Sequence, residues 1–232
     1  MRVEELAKTL DLVLLSPLAT AADIELACDE AAALHLAAVT AYPAFAGDVA
    51  ERLRGSDVKA GACVGLPFGA DQPAALVASA ERAVNAGARE LDVVMNVPAF
   101  LSGRFSETRD DLARVVRAAR AAAAGAGRGT VIVKVIIEAP LLGDKLTRLA
   151  CRVVADAGAD LAATGSGAGS PARPQDVELM RECLPGEIGV AASGGVATLD
   201  DALALIDAGA QRVGSALAVD IVREMTAAGR RR

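Results

Sequence analysis

Two apolar segments each carry a pair of polar residues at a spacing that suits chemistry on one face of a strand. Asp92 and Asn96 lie in ELDVVMN, and Lys134 and Glu138 lie in TVIVKVIIE. Side chains alternate between the two faces of a strand, so residues four apart share a face. A buried ammonium is unfavourable unless a carboxylate neutralises it, and Asp92 is the natural partner of Lys134. An acid/base or nucleophilic pair is the favoured interpretation, and an inert internal ion pair is the alternative.

Glycine and hydroxyl residues cluster in loops after three later apolar segments. These loops read TGSGAGSPA, ASGGVAT and GSA. Their backbone amides could hold an anion or a developing oxyanion, as the last loops of an α/β barrel commonly do. A tight strand-to-helix turn is the alternative explanation for any one of them. The residues that these loops offer for substrate binding are Thr164, Ser166, Gly167, Ser193, Gly194, Gly195 and Ser215.

Alternating strands and helices must position these residues. Short β-branched or apolar runs alternate with longer stretches of helical period, which is typical of βα units around a parallel sheet. NAGARELDVV, DAGADLAATG and DAGAQRVGSA each end a helix on Gly and then enter a strand. No G-x-G-x-x-G follows the first strand, which disfavours a Rossmann fold. The pattern predicts one domain, residues 1–232, folded as a single (βα)8 TIM barrel with a short N-terminal helix. The predicted strands are 12–15, 37–42, 59–66, 90–96, 130–138, 160–164, 188–193 and 212–216.

The composition excludes several classes of partner. The chain has 232 residues, of which 53% are hydrophobic and 23% charged, as expected for one large buried core. Aromatic residues make up only 2% and the net charge is -6, so no nucleic-acid partner is expected. The chain shows neither a signal peptide nor an apolar stretch of about 18 residues, which predicts a cytoplasmic protein without a membrane partner. Arg230–Arg232 are interpreted as a solvated tail.

The residue types that usually bind metals are scattered. Cys28, Cys63, Cys151 and Cys183 form no C-x-x-C pair, and the only histidine, His35, is near none of them in sequence. We expect buried free thiols and a helix-end role for His35. The sequence therefore predicts no metal and no cofactor.

Several long segments resemble deoxyribose-phosphate aldolases, and the resemblance covers nearly the whole chain. It rests on DLVLLSPLAT, GLPFGA, ELDVVMNVPAFLSG, VKVIIEAPLL, ADLAATGSG, VELMREC and ASGGVATLDDALALIDAGAQRVGSA. The resemblance implies a TIM barrel and a class I aldolase that joins acetaldehyde to glyceraldehyde 3-phosphate through a Schiff base. It also makes a homodimer an expected assembly.

The chain departs from that family at its reactive positions. Ala163 stands where the resemblance places the reactive lysine on strand six, and Ala191 where it places an assisting lysine on strand seven. An alanine methyl cannot form the carbinolamine that precedes an imine. Further family residues (His, Thr and Lys on strand one, an arginine after strand seven, phosphate-binding serines after strand eight) are replaced by Leu12, Val13, Ser16, Ala197, Ala216 and Leu217. These changes imply a less charged substrate and a roomier, more apolar pocket.

Two functions fit this pattern. In the first, Lys134 and Asp92, with Asp11, act on a small carbonyl substrate in aldol, retro-aldol or related dehydration, isomerisation or cyclisation chemistry, but not in ordinary 2-deoxyribose 5-phosphate cleavage. Lys134 would either form the Schiff base itself or act as a general acid while Asp92 moves a proton. In the second, the chain is a catalytically inactive aldolase homologue with a binding or regulatory role.

Overall fold

Eight parallel strands close into a barrel in the computed structural model, which describes residues 1–229. The strands follow one another around the barrel in chain order, and β8 pairs with β1 to close it. This confirms the expected (βα)8 TIM barrel; the predicted tail Arg230–Arg232 lies outside the described residues. The strands are β1 Leu10–Leu14, β2 Ala38–Ala41, β3 Lys59–Val64, β4 Glu90–Val94, β5 Ile132–Ile136, β6 Leu161–Ala163, β7 Gly189–Ser193 and β8 Arg212–Ser215.

One short helix precedes the barrel and at least one helix follows every strand. The helix before β1 confirms the expected N-terminal helix, and a 3₁₀ turn at Pro43–Phe45 follows β2. The helices are α1 Val3–Ala7, α2 Ala21–Ala33, α3 Ala46–Arg52, α4 Pro73–Ala86, α5 Val97–Leu101, α6 Phe105–Gly125, α7 Ala139–Ala157, α8 Pro174–Cys183, α9 Leu199–Asp207 and α10 Ala218–Gly229.

The alternation of side chains along the strands divides the apolar residues into two sets. The first forms the main core between sheet and helices and includes Val93, Met95, Val133, Val135 and Ile137. The second is a smaller buried cluster inside the barrel, which consists of Cys63, Val94, Ile136, Ala163 and Ala191. Because the interior set is small and lies above polar residues of the same strands, it leaves room for a site at the carboxyl ends of the strands.

The first strand begins two residues earlier than expected. Apolar patterning predicts a strand over 12–15, whereas β1 spans Leu10–Leu14 and includes Asp11. A carboxylate is not expected on the inner face of a barrel strand unless cations neutralise it, and the apolar pattern does not show those cations. Asp11 is buried here because two cations neutralise it.

The four cysteines are free thiols, but they are not all buried. Cys28, Cys63 and Cys151 are buried, whereas Cys183, at the end of α8, is half-buried beside Arg148. His35 lies just beyond the end of α2, with Nδ1 3.0 Å from Asp57 Oδ1. No helix within residues 1–229 combines the length and apolar character needed to cross a membrane.

Reciprocal side-chain caps begin two of the helices. Thr20 caps α2, with Asp23 as its partner. Thr198 caps α9: its hydroxyl accepts a hydrogen bond from Asp201 N at 3.1 Å, and Asp201 Oδ2 accepts one from Thr198 N at 3.0 Å. We expect Thr198→Ala to lower the free energy of unfolding by about 1 kcal/mol, because an amide donor in the first turn of α9 loses its acceptor. Urea denaturation measures this loss. A loss of less than a few tenths of a kcal/mol would mean that the cap does not contribute to stability.

Candidate functional site

Five charged side chains meet inside the barrel. Lys134 Nζ lies 2.8 Å from Asp11 Oδ2, 2.9 Å from Glu90 Oε2 and 3.0 Å from Asp92 Oδ1. Arg212, the first residue of β8, contacts Asp11 and donates two hydrogen bonds to Glu90 at 3.0 and 2.9 Å. We call these five residues, which come from β1, β4, β5 and β8, the interior ion cluster.

The register of the strands explains how the interior ion cluster forms. Asp92 and Lys134 are direct partners in the β4–β5 ladder, as their shared parity predicted. Glu90 lies two residues before Asp92 and therefore faces the same way. In the ladder between β8 and β1, Val213 is paired with Leu10. Arg212 and Asp11 are the chain neighbours of these two residues, so the pairing brings them close together. The cluster thus depends on closure of the barrel.

The charges in the interior ion cluster do not balance. Two cations, Lys134 and Arg212, face three carboxylates. Asp11 and Glu90 each contact both cations, whereas Asp92 contacts Lys134 alone. That contact is a charge contact, because Asp92 Oδ1 is buried without a hydrogen-bond partner within residues 1–229. Asp92 is therefore the carboxylate in excess.

These surroundings shift the proton affinities in opposite directions. Burial alone would raise the pKa of Glu90, but Lys134 and Arg212 outweigh it and lower that pKa to about 2. Burial raises the pKa of Asp92, and the attraction of Lys134 offsets this only in part. Burial also opposes the charge of Lys134, yet Asp11, Asp92 and Glu90 raise its pKa far above the usual value. Lys134 is thus an ammonium at neutral pH, and Asp92 binds a proton more readily than an ordinary aspartate does.

A cavity of about 660 Å³ opens over the interior ion cluster. Asp11, Asp92 and Lys134 lie in its wall, but only Asp92 of these exposes more than a trace of its side chain, at 14%. The volume is within the range of about 300–1,000 Å³ that is typical of small-molecule sites. The position also fits, because barrel enzymes bind their substrates at this end. Asp92 is therefore the reactive group that a ligand in the cavity would meet.

Ala163 and Ala191, at the positions where the family resemblance places lysines, belong to the cavity wall. Ala163 ends β6 and Ala191 lies in β7; the two are paired in register, and each is at most 5% exposed. Both line the cavity with Ile136. The place where the resemblance expects an imine is therefore occupied by methyl groups.

Seven residues of the glycine-rich loops are the sequence candidates for substrate binding, and five of them line the cavity. These five are Ser166, Ser193, Gly194, Gly195 and Ser215. Thr164 and Gly167 support that wall from behind. Thr164 Oγ1 accepts a hydrogen bond from Ser193 N at 3.0 Å, which ties the end of β6 to the end of β7. Gly167 packs against Gly194 so closely that a Cβ there would lie 3.2 Å from Gly194 Cα.

Asn96 and Glu138 do not line the cavity, which corrects their expected placement beside Asp92 and Lys134. The strands end at Val94 and Ile136, so the alternation of faces stops before it reaches them. Asn96 Oδ1 instead caps α5 by accepting from Ala99 N at 3.0 Å. Glu138 precedes α7 with a left-handed backbone (φ +55°), and its Oε1 accepts from Ser166 N at 2.8 Å.

Two residues of the interior ion cluster were missed from the sequence. Glu90 carries the same parity signal as Asp92, two residues away. Arg212 begins a predicted strand, and such residues usually reach solvent at the amino-terminal end of a barrel. A count of the interior charges could have found them. If Lys134 pairs with Asp92, Asp11 still needs a cation as its partner.

Other groups near the site have no chemical role in this geometry. Burial and the nearby Asp92 raise the pKa of the Cys63 thiol well above its ordinary value, so Cys63 is not a thiolate nucleophile. Among residues 1–229, His, Cys, Asp and Glu side chains form no group of three or more that could hold a metal ion.

Known proteins similar to this chain point to one family. A family model described as DeoC/LacD family aldolase matches residues 7–224. A deoxyribose-phosphate aldolase of Staphylococcus carnosus is 41% identical over 94% of this chain and 95% of its own length. Another, from Caldicellulosiruptor saccharolyticus, is 39% identical over 97% and 100%. The tetrameric deoxyribose phosphate aldolase of Aeropyrum pernix superposes with a TM-score of 0.89 at 29% identity, over 98% of this chain and 93% of that one.

Proposed function

Since this chain belongs to the DeoC/LacD family of aldolases, we propose that it acts on a small carbonyl substrate by proton transfer at Asp92, without an imine. The observation that carries this proposal is the position of Asp92: it is the unbalanced carboxylate of a buried ion cluster and faces a large cavity. Family membership supports aldol, retro-aldol or related dehydration, isomerisation or cyclisation chemistry. We propose that residues 1–232 act as one domain.

The surroundings of Lys134 argue against an imine on that residue. An amine attacks a carbonyl carbon through its lone pair, so it must first lose a proton. Three carboxylates within 3.0 Å of Nζ hold that proton, and the side chain is only 2% exposed. Lys134 would instead supply a fixed positive charge next to the reacting group, which stabilises negative charge that develops there.

Asp92 would act as both base and acid. As a carboxylate it takes a proton from the carbon next to the carbonyl group, and the electron pair of that C–H bond forms an enolate. The enolate carbon then takes that proton back, or it adds to an aldehyde, whose oxygen takes the proton from Asp92 as its C=O double bond becomes a single bond. In retro-aldol cleavage the same steps run in reverse. Ser166 could donate to the carbonyl oxygen, because within residues 1–229 its hydroxyl accepts from Ala168 N and donates to no protein group.

The ordinary substrate of the named relatives does not suit this cavity. Ala197, Ala216 and Leu217 line it at the positions where the family resemblance places an arginine and the phosphate-binding serines. Within residues 1–229, Lys134 is the only lysine, arginine or histidine in its wall. We therefore propose a substrate without a phosphate group.

Deuterium exchange tests proton transfer before the natural substrate is known. In D₂O, the protein should catalyse the exchange of hydrogen for deuterium on the carbon next to the carbonyl group of the ketones and aldehydes that it binds. NMR measures the rate of this exchange. We expect Asp92→Asn to slow this exchange by about 10²- to 10⁴-fold, the usual contribution of a general base.

Asp156→Asn is the matched control, because Asp156 is an exposed carboxylate of α7 that lies outside the cavity. It should retain the exchange rate. Equal rates for Asp92→Asn and the natural chain would contradict the proposal. Absence of exchange across neutral and phosphorylated carbonyl compounds would instead favour the catalytically inactive homologue.

A further inference from the structure

We infer that the cavity takes an uncharged carbonyl compound with an apolar chain or ring, whose apolar part runs from Asp92 towards Leu18 and Leu217. The placement of the carbonyl group at Asp92 rests on the proposed function. The apolar part is assigned from the wall itself, through its charge, its composition and its exposed rim.

The charge of the wall disfavours an anionic ligand. Asp11, Asp23 and Asp92 line the cavity, and the lysine that accompanies them, Lys134, already contacts three carboxylates. A phosphate or carboxylate group would lose water without gaining a free cation, which is unfavourable at a partly enclosed site. The ligand is therefore uncharged where it enters the cavity.

The composition of the wall favours an apolar ligand. Most of its side chains are aliphatic, and they come from β1, β5, β6 and β7 as well as from the loops after β1, β7 and β8. The largest are Leu14, Leu15, Leu18, Ile136 and Leu217. Burying apolar ligand area against such a wall provides about 25 cal/mol per Å². A cavity of about 660 Å³ is also larger than a two- or three-carbon aldehyde fills.

Two exposed leucines show the direction in which the apolar part leaves. Leu18, in the loop after β1, is 85% exposed, and Leu217, just after β8, is 43% exposed, and both line the cavity. Because β1 and β8 are hydrogen-bonded neighbours, the two leucines lie on the same side of the mouth. Exposed apolar side chains that line a cavity offer a ligand apolar contact at its mouth. The wall that starts at Asp92 therefore continues outwards as an apolar surface.

Fluorescent ketones test this inference directly. The chain has no tryptophan and a single tyrosine, so ligand fluorescence can be read without protein emission. We expect 2-acetyl-6-methoxynaphthalene, a neutral aryl ketone, to bind with one-to-one stoichiometry and a blue-shifted emission. The related carboxylate 6-acetyl-2-naphthoate should bind at least tenfold more weakly, and inorganic phosphate should displace neither.

Rim variants locate the binding. Leu217→Asp should weaken binding of the neutral ketone at least tenfold, whereas Leu101→Asp should leave it unchanged, because Leu101 is a comparably exposed leucine (53%) outside the cavity. Tighter binding of the carboxylate, or equal binding by both variants, would overturn the inference. Deuterium exchange into phosphorylated aldehydes alone would also overturn it and would leave proton transfer at Asp92 intact. Tight ketone binding without exchange would support the inference while contradicting the proposed function.

Discussion

Ala163→Lys combined with Ala191→Lys should give this barrel a lysine that forms a Schiff base. Ala163 and Ala191 line the cavity and are paired in register, so the two new amines would be neighbours. Each ammonium disfavours the charge of the other, which lowers the pKa of the amine at residue 163 and frees its lone pair at neutral pH. With acetaldehyde and cyanoborohydride, peptide mapping should show a reduced adduct on residue 163 of the double variant and none on Lys134 of the natural chain.

Single variants separate the two contributions. Ala163→Lys alone should form the adduct more slowly at neutral pH, because no second ammonium lowers the pKa of the new amine. At alkaline pH its rate of adduct formation should approach that of the double variant. Ala163→Met provides similar bulk without an amine and should form no adduct at residue 163. If Lys134 of the natural chain were labelled as fully as residue 163 of the double variant, Lys134 would be reactive and the account would be wrong.

Lys134→Met should destabilise the fold more than any surface ion-pair change. Methionine matches the length of lysine but leaves Asp11, Glu90 and Asp92 buried with Arg212 as their only cation. Removing one partner from a buried ionic network typically lowers the free energy of unfolding by about 3–5 kcal/mol. Urea denaturation at pH 7 measures this loss. Arg52→Met, which breaks the exposed pair with Asp29, should lose less than about 1 kcal/mol.

The pH dependence of that loss has a definite sign. In the natural chain the pKa of Glu90 is about 2, below its ordinary value of 4.5, so its stabilising contribution is complete above pH 4.5 and disappears as the pH falls towards 2. Without Lys134, the buried carboxylates bind protons at higher pH and become neutral. The penalty of Lys134→Met should therefore shrink between pH 7 and pH 4. A loss below 1 kcal/mol at pH 7, or one that grows with acid, would contradict the charge assignment.

The features that could be predicted from the sequence are those that depend on local periodicity. Alternation along two strands was sufficient to place Asp92 beside Lys134, because neighbouring parallel strands bring residues of one parity together. The same argument failed for Asn96 and Glu138, since nothing in an apolar run shows where hydrogen bonding to the next strand stops.

The features that escaped prediction depend on closure of the barrel. Arg212 approaches Asp11 only because β8 pairs with β1, across about two hundred residues of chain. Glu90 faces the same side of β4 as Asp92, which the sequence shows, but its pairing with Arg212 becomes apparent only in the closed barrel. The reactivity of Lys134 follows from these contacts, since it is three carboxylates together that hold its proton. Strand patterning alone therefore left open whether Lys134 is a nucleophile or a fixed charge.

Deuterium exchange by the natural chain after treatment with an accepted ketone and cyanoborohydride tests the central claim most directly. An imine that forms during the reaction would be reduced and would block the site permanently. Because Asp92 would work without an imine, we expect the treated protein to keep its full exchange rate and an unmodified Lys134. Loss of exchange together with a reduced adduct that peptide mapping places on Lys134 would show that Lys134 is the nucleophile and would contradict the account.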